Sequence, residues 1–88
     1  MLTTIKRDKQ MNYKRIYESL ILRRKTDKLH KIGDGTVESH HIIPKCMGGS
    51  NNKNNIVNLY CKEHYFAHLL LTKIYKNTEH FDKLLYAL

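Results

Sequence analysis

The chain has 88 residues, of which 16 are Lys or Arg and eight are Asp or Glu, so its formal charge is +8. A chain of this length forms one small domain, and small domains often depend on a metal ion, disulfides or a partner. The positive charge suits a polyanionic partner, most commonly nucleic acid. No apolar run approaches the ~20 residues that span a bilayer, and the first residues lack a signal peptide's apolar core. We therefore expect a soluble cytoplasmic protein without a membrane partner.

The first predicted element is an amphipathic helix. Residues 1–11 are polar and basic, and we expect them to be flexible. From Asn12 to about Leu29, apolar residues recur at helical spacing and predict one buried stripe: Tyr13, Ile16, Tyr17, Leu20 and Ile21. The opposite face is basic and carries Lys14, Arg15, Arg23, Arg24, Lys25 and Lys28. A solvated surface explains any one of these charges, whereas the whole set indicates phosphate contacts for some of them.

Two short strands and a loop follow the helix. The glycines of Gly33-Asp34-Gly35 break the helix, and Thr36-Val37 and Ile42-Ile43 are predicted strand pieces. Pro44 should end strand pairing because it has no N–H to donate. The segment "CMGGSNNKNN" has the composition of a loop, and Ile56–Tyr60 is predicted as the second strand.

Two helices complete the predicted order. Helical spacing returns from about Lys62 to Tyr75, and Asn77-Thr78 then interrupts it. A last short helix places four apolar residues on one face: Phe81, Leu84, Leu85 and Leu88. The order helix, strand, loop, strand, helix, helix predicts a small α+β fold.

Four histidines are the residues most suited to metal binding or catalysis. His64 and His68 are four residues apart on a predicted helix, so they project from one face and can offer two imidazoles to one metal ion. His40 and His41 lie upstream, across a loop that can fold back. Side chains of neighbouring strand residues point to opposite faces, so if His40 faces the helix, His41 faces away from it. An imidazole beside a metal site but off the metal suits a general base.

The remaining histidines and the cysteines receive a simpler interpretation. His30 and His80 are interpreted as incidental surface or packing residues. Cys46 and Cys61 are too few for a disulfide framework and form no CxxC pair, so we expect free thiols.

The stretch "ESHHIIPKCMGGSNNKNNIVNLYCKEHYFAHLLL" resembles the HNH endonuclease motif. It is most similar to phage-encoded and homing-type members, which share the Glu-x-His-His-Ile-x-Pro, Gly-Gly, Asn and Glu-His-x-x-x-His pattern. The resemblance extends back over "NYKRIYESLI" and covers about residues 12–76. It implies a treble-clef-like ββα-metal fold, in which a two-stranded hairpin and a metal-bearing helix lie between an N-terminal helix and a short C-terminal helix. It also implies a single HNH nuclease domain over residues 12–88, with its core motif at 37–75.

The resemblance implies a role for each matching residue. His40 and His64 fall on the family's metal-ligand positions, and His41 falls on its general base. Asn55 lies fourteen residues after His41 and nine before His64, as expected for the asparagine that holds the loop and helps orient the base. His68 falls on a further ligand position seen in colicin-like relatives.

Three neighbouring positions carry secondary expectations. Glu38 shares a strand face with His40, so it is expected either to orient a ligand histidine or to form a surface salt bridge. Asn58 is the rival for the middle asparagine, and we interpret it as a strand-pairing or turn residue. Cys61 stands where similar phage proteins have a threonine helix cap, and cysteine is a poor cap.

The implied function is metal-dependent hydrolysis of DNA phosphodiester bonds, by nicking or double-strand cleavage. One divalent ion is expected, Mg²⁺ first, with Zn²⁺, Mn²⁺ or Ni²⁺ also suited to a histidine-rich site. DNA contacts are expected from four cations: Arg23, Arg24, Lys25 and Lys45. If the protein is phage-encoded, it would act in the cytoplasm of the bacterial host cell, as a monomer or a homodimer.

A non-enzymatic alternative is a small DNA-binding module with a structural zinc site. A structural ion could close a core too small to be stable alone. Structural zinc sites usually have four ligands and favour cysteine, and this alternative leaves His41 without a role.

Overall fold

The computed structural model of the protein describes residues 12–26 and 37–86. Its helices and strands are α1 (Tyr13–Thr26), β1 (Val37–His41), β2 (Ile56–Tyr60), α2 (Cys61–Ile74) and α3 (Phe81–Tyr86). The two strands form an antiparallel hairpin. The α+β architecture predicted from the sequence is confirmed, and the order is consistent with a ββα-metal fold.

The hairpin register separates the two adjacent histidines of β1. His40 pairs with Val57 and His41 pairs with Ile56. His40 is only 2% exposed, on the face that covers the core, whereas His41 is half-buried. Alternation along one strand therefore directs two identical side chains into different surroundings.

The core lies between the hairpin and the three helices. Its buried apolar residues are Tyr17, Ile21, Val57, Leu59, Ala67, Leu70, Leu71 and Leu84. Full burial of a leucine-sized side chain contributes about 1.5–3 kcal/mol. The stripe predicted for the first helix supplies two of these residues, Tyr17 and Ile21. Leu84 is 1% exposed and anchors the short helix α3 to the same core.

A Gly-Gly pair reverses the loop between the strands. Gly48 has a φ of +89°, a left-handed backbone conformation that residues other than glycine rarely adopt. A Cβ on Gly49 would lie 1.7 Å from the carbonyl oxygen of Ile43, so no larger residue fits there. The N–H of Gly49 instead donates to the carbonyl of Pro44 at 3.0 Å. The reversal returns the asparagine-rich half of the loop to the end of β1.

Several predicted boundaries differ from the structure. Ile42 and Ile43 are not strand residues, because β1 ends at His41. Their N–H groups instead donate to the backbone and side-chain oxygens of Asn55, both at 2.8 Å. Pro44 therefore comes three residues after the last strand residue.

The helix ends also differ in detail from the prediction. Helix α2 begins at Cys61, and its cap residue is Tyr60, whose N–H donates to the Glu63 carboxylate at 3.0 Å. The expectation that Cys61 occupies the cap position was therefore wrong. In α3, Leu84 is buried but Leu85 is 49% exposed, so the predicted apolar face is only partly used.

Several predictions lie outside the described residues: the flexible segment 1–11, the helix end beyond Thr26, the break at Gly33-Asp34-Gly35, Thr36, and Leu88. Within the described ranges, no helix is long and apolar enough to cross a membrane.

Candidate metal centre and active site

Three histidine side chains meet where β1 crosses α2. His40 comes from the strand, and His64 and His68 lie one helical turn apart on α2. The ring centroids are separated by 5.1 Å (His40–His64), 5.6 Å (His40–His68) and 4.9 Å (His64–His68). One nitrogen from each ring lies within 4.8 Å of the others, so this group could hold a metal ion. We call these three residues the histidine cluster; whether each is a ligand stays a prediction.

A tyrosine of α1 determines which ring nitrogen of His40 carries the proton. The Tyr17 hydroxyl donates to the carbonyl oxygen of Ile42 at 2.7 Å, and it lies 2.7 Å from Nε2 of His40. Because a hydroxyl has a single hydrogen, His40 Nε2 must donate, which leaves Nδ1 with a free lone pair. Burial raises the pKa of Tyr17, so the hydroxyl keeps its proton. Sequence analysis missed this role because Tyr17 fits the apolar stripe of its helix.

A carboxylate orients His64 from the opposite side. Oε1 of Glu38 lies 2.8 Å from His64 Nδ1, so Nδ1 donates and Nε2 remains available. This hydrogen bond is the main cause that lowers the pKa of Glu38, with a smaller contribution from the thiol of Cys61. The structure therefore pairs Glu38 with His64, whereas its strand neighbour His40 is held by Tyr17. Such outer partners raise ligand basicity and fix ring orientation in metal sites.

The third histidine carries an unused nitrogen. Nδ1 of His68 is buried and has no hydrogen-bond partner among the residues that the structure describes. Burial, and then the neighbouring His64, lower the pKa of His68. Burial also lowers the pKa of His40, to about 3. Two neutral imidazoles, two fixed tautomers and one unpartnered buried nitrogen fit a bound cation, because metal ligands must be deprotonated.

His41 occupies a separate position beside the cluster. Its Nε2 lies 2.8 Å from the side-chain oxygen of Asn51 and therefore donates to it. In the neutral ring this leaves Nδ1 as the proton acceptor. The sequence carried no signal for Asn51, which is one of several asparagines in a polar loop.

Asn55 fastens the loop to the end of β1. Its side-chain oxygen accepts the N–H of Ile43 at 2.8 Å. Its amide donates to the carbonyls of Ile43 at 3.1 Å and Ser50 at 2.8 Å. Asn55 is 8% exposed and holds the loop, whereas the hydrogen bond to the His41 ring comes from Asn51. Asn58, the rival position, lies opposite Ser39 in the strand pairing.

The histidines open onto a cavity of about 340 Å³. The histidine cluster and His41 all line it, together with the basic residue Lys45. The cavity is large enough for a phosphate group and water, and all four imidazoles line it.

The four cations predicted to contact DNA differ in their surroundings. Nε of Arg24 lies 2.9 Å from both carboxylate oxygens of Glu63, and the guanidinium lies 5.0 Å from the centre of the Tyr60 ring. The Arg24 side chain is 15% exposed. Arg24 thus connects the end of α1 to the start of α2. Arg23, Lys25 and Lys45 are exposed, and their contacts with DNA stay a prediction.

Replacing Arg24 should therefore affect the fold. We expect Arg24→Gln to lower the free energy of unfolding by about 1–3 kcal/mol, because it leaves the Glu63 carboxylate without its charged partner. Lys25→Gln removes the same charge from an exposed site and should change it by less than about 0.5 kcal/mol. Urea denaturation measures both variants; equal stability of the two would show that the Arg24–Glu63 pair contributes nothing.

Removing the Tyr17 hydroxyl should weaken metal binding. We expect Tyr17→Phe to lower affinity for Zn²⁺ or Ni²⁺ by about 10- to 100-fold, because His40 loses the group that orients it. Tyr13→Phe removes a hydroxyl from the same helix, away from the cluster, and serves as the control. Calorimetric titration of both variants checks this, and equal affinities would exclude the proposed orienting role.

Comparisons with known proteins show which proteins the chain resembles. The chain is similar to proteins of Enterobacteria phage T4 named as probable mobile endonucleases. It is 48% identical to endonuclease E over 66 residues, which cover 74% of this chain and 44% of that protein. It is 45% identical to endonuclease D and 51% identical to endonuclease B, each over 69 residues; these cover 77% and 75% of this chain, and 27% and 25% of those proteins.

The chain thus spans less than half the length of each of these relatives. No protein-family model matches the chain, and no solved structure matches it.

Proposed function

We propose that the protein is a metal-dependent DNA endonuclease of the HNH type that hydrolyses phosphodiester bonds. The observation that carries the proposal is a cavity lined by four imidazoles, of which three offer nitrogens within 4.8 Å of one another while the fourth, His41, lies outside that group and is hydrogen-bonded to Asn51. The similarity to phage proteins named as mobile endonucleases supports it, and a phage protein of this kind would act in the cytoplasm of its bacterial host.

His40, His64 and His68 would hold a single divalent ion. When bound, the ion would stabilise negative charge on the phosphate and on the departing 3′ oxygen. Imidazole ligands suit Zn²⁺ and Ni²⁺, whereas Mg²⁺ prefers oxygen. We therefore propose that the purified protein binds Zn²⁺ or Ni²⁺ more tightly than Mg²⁺.

His41 would act as the general base. Its Nε2–H donates to Asn51, so Nδ1 is the atom that accepts a proton from water. The resulting hydroxide attacks phosphorus in line with the leaving oxygen. Asn55 keeps the loop closed against β1, which holds Asn51 near the His41 ring. Strand alternation prevents His41 from joining the cluster and leaves it for this proton transfer.

Arg23, Lys25 and Lys45 would bind the phosphate backbone, as sequence-independent cationic contacts do. Arg24 is excluded from this set because Glu63 engages it. A single cluster in the described part of the chain makes nicking of one strand the simplest outcome.

Nicking of supercoiled plasmid tests the proposal. The protein should convert supercoiled plasmid to the open circle, EDTA should abolish this activity, and an added divalent ion should restore it. Plasmid that stays intact with every ion tested, under conditions where the ion is bound, would contradict the proposal.

The same experiment separates the structural-zinc alternative. That alternative predicts no nicking and loss of the folded state on chelation, which circular dichroism would detect. The three-histidine group opens onto a cavity, and Cys46 and Cys61 are exposed, form no disulfide and lie outside the group. Structural zinc sites are usually closed by four ligands, so these observations favour the enzyme.

A further inference from the structure

We propose that Lys83 of the short helix α3 is a substrate-binding residue that contacts a phosphate of the DNA strand entering the histidine-lined cavity. This inference rests on the proposed endonuclease function and adds a residue from a part of the chain outside the HNH-like motif. It makes α3 one wall of the substrate site.

Lys83 is positioned by its neighbour Leu84. Leu84 is 1% exposed, belongs to the hydrophobic core and itself lines the cavity. The core therefore holds α3 in place, although the helix is short. Lys83 is exposed and reaches the same cavity as His41 and the histidine cluster. A flexible side chain on a fixed backbone can follow a ligand at little cost to the fold.

The charges around the cavity favour an anion. Two lysines, Lys45 and Lys83, line it, and among the described residues its lining contains no carboxylate. Glu38 contacts His64 but does not belong to the lining. Lys83 forms no ion pair with any residue in the described part of the chain. A concave site that is lined by cationic groups rather than carboxylates concentrates phosphate by electrostatic attraction.

The two lysines reach the cavity from different parts of the fold. Lys45 belongs to the turn after Pro44, close to β1, whereas Lys83 belongs to the last helix. Ammonium groups from separate elements can contact different oxygens or adjacent phosphates of one strand. Lys83 would thereby hold the substrate against the histidines and affect binding more than the chemical step.

Lys83→Gln tests the inference, with Lys76→Gln as the matched control. Lys76 is an exposed lysine of the same chain that does not line the cavity. Lys83→Gln should raise KM for plasmid nicking about three- to tenfold and change kcat by less than about twofold. Lys83→Arg keeps the charge and should restore KM to within about twofold of the unmutated protein. Lys76→Gln should behave as the unmutated protein does.

Binding of a labelled phosphorothioate duplex, which keeps its charge but resists hydrolysis, to the metal-loaded protein gives a second readout that is independent of cleavage. Fluorescence anisotropy at several salt concentrations should show that Lys83→Gln lowers the slope of log affinity against log salt by about 0.9, the value of one phosphate contact. Lys76→Gln should leave the slope unchanged.

The outcomes separate this inference from the function it rests on. If the unmutated protein nicks DNA but the Lys83 and Lys76 variants match in KM and salt slope, Lys83 is not a phosphate contact. A loss confined to kcat overturns the inference as well. If the unmutated protein does not nick, the endonuclease proposal fails, and the salt slopes still decide whether Lys83 contacts DNA.

Discussion

Replacing His41 by alanine should lower metal-dependent DNA cleavage by about 10²- to 10⁴-fold, the usual contribution of a general base. Among the described residues, His41 is the one imidazole that lines the cavity outside the histidine cluster, and the change removes it. The hydrogen bonds that His40 donates to Tyr17 and that His64 donates to Glu38 do not involve His41. Affinity for metal and for DNA should therefore remain close to that of the unmutated protein.

Single-turnover nicking at saturating protein and metal measures this effect. His80→Ala is the matched control, since the His80 ring packs edge-on against Tyr75, at a centroid distance of 6.2 Å, and takes no part in the cluster. Asn51→Ala should give a smaller loss than His41→Ala, because the base remains but its ring is no longer held. If His41→Ala cleaves as fast as His80→Ala, His41 is not the base.

Replacing His64 by alanine should reduce metal affinity by more than about 100-fold, beyond the 10- to 100-fold typical of a group behind a ligand. The His64 ring lies 5.1 Å from the His40 ring and 4.9 Å from the His68 ring, so its nitrogen is close to both other members of the cluster. Its Nδ1 is engaged by Glu38, so Nε2 is the atom that alanine would remove from the ion. The two remaining imidazoles would bind a divalent ion weakly, and cleavage should be lost because the site no longer holds the ion.

Calorimetric titration with Zn²⁺ or Ni²⁺ measures this loss, again with His80→Ala as the control. Glu38→Gln gives a graded comparison, since it keeps a hydrogen-bond acceptor beside His64 but removes the charge. Its affinity should lie between those of the unmutated protein and His64→Ala. A His64→Ala protein that binds metal normally would remove His64 from the ligand set.

The division of the two adjacent histidines could be predicted from sequence because it depends only on strand alternation. His40 lies in the cluster and His41 lies outside it. The i, i+4 spacing similarly placed His64 and His68 on one helix face. The hairpin, both of its strands and the following helix were predicted for the same reason: local period and the turn residues between them determine these elements.

The residues that hold the cluster in place could not be predicted in this way. Tyr17 and His40 are 23 positions apart, and Arg24 and Glu63 are 39 apart. A tyrosine at a buried position of a helix looks like a core residue until the strand that packs on it is known. An arginine among other cations looks like a DNA contact until its carboxylate partner is known.

The hydrogen bonds within the loop could not be predicted from sequence either, although their partners are close together in the chain. Its composition predicted a turn, but composition does not say which asparagine contacts which partner. Asn55 bonds the backbone of Ile43 and Ser50, and Asn51 bonds the His41 ring. The backbone of Gly49 approaches the Ile43 carbonyl so closely that a Cβ would lie 1.7 Å from its oxygen, and composition does not reveal this approach. The N–H groups of Ile42 and Ile43 donate to Asn55, and these two residues are not part of the strand that was predicted to include them.

The most direct test of the account is a metal titration of the apoprotein in which nicking and metal binding are followed on the same sample. One site formed by His40, His64 and His68 predicts that the nicking rate rises in proportion to bound metal. The rate should reach its maximum when one ion is bound per chain. Full nicking activity before any metal is bound would contradict the account, and so would the absence of nicking at one bound ion per chain.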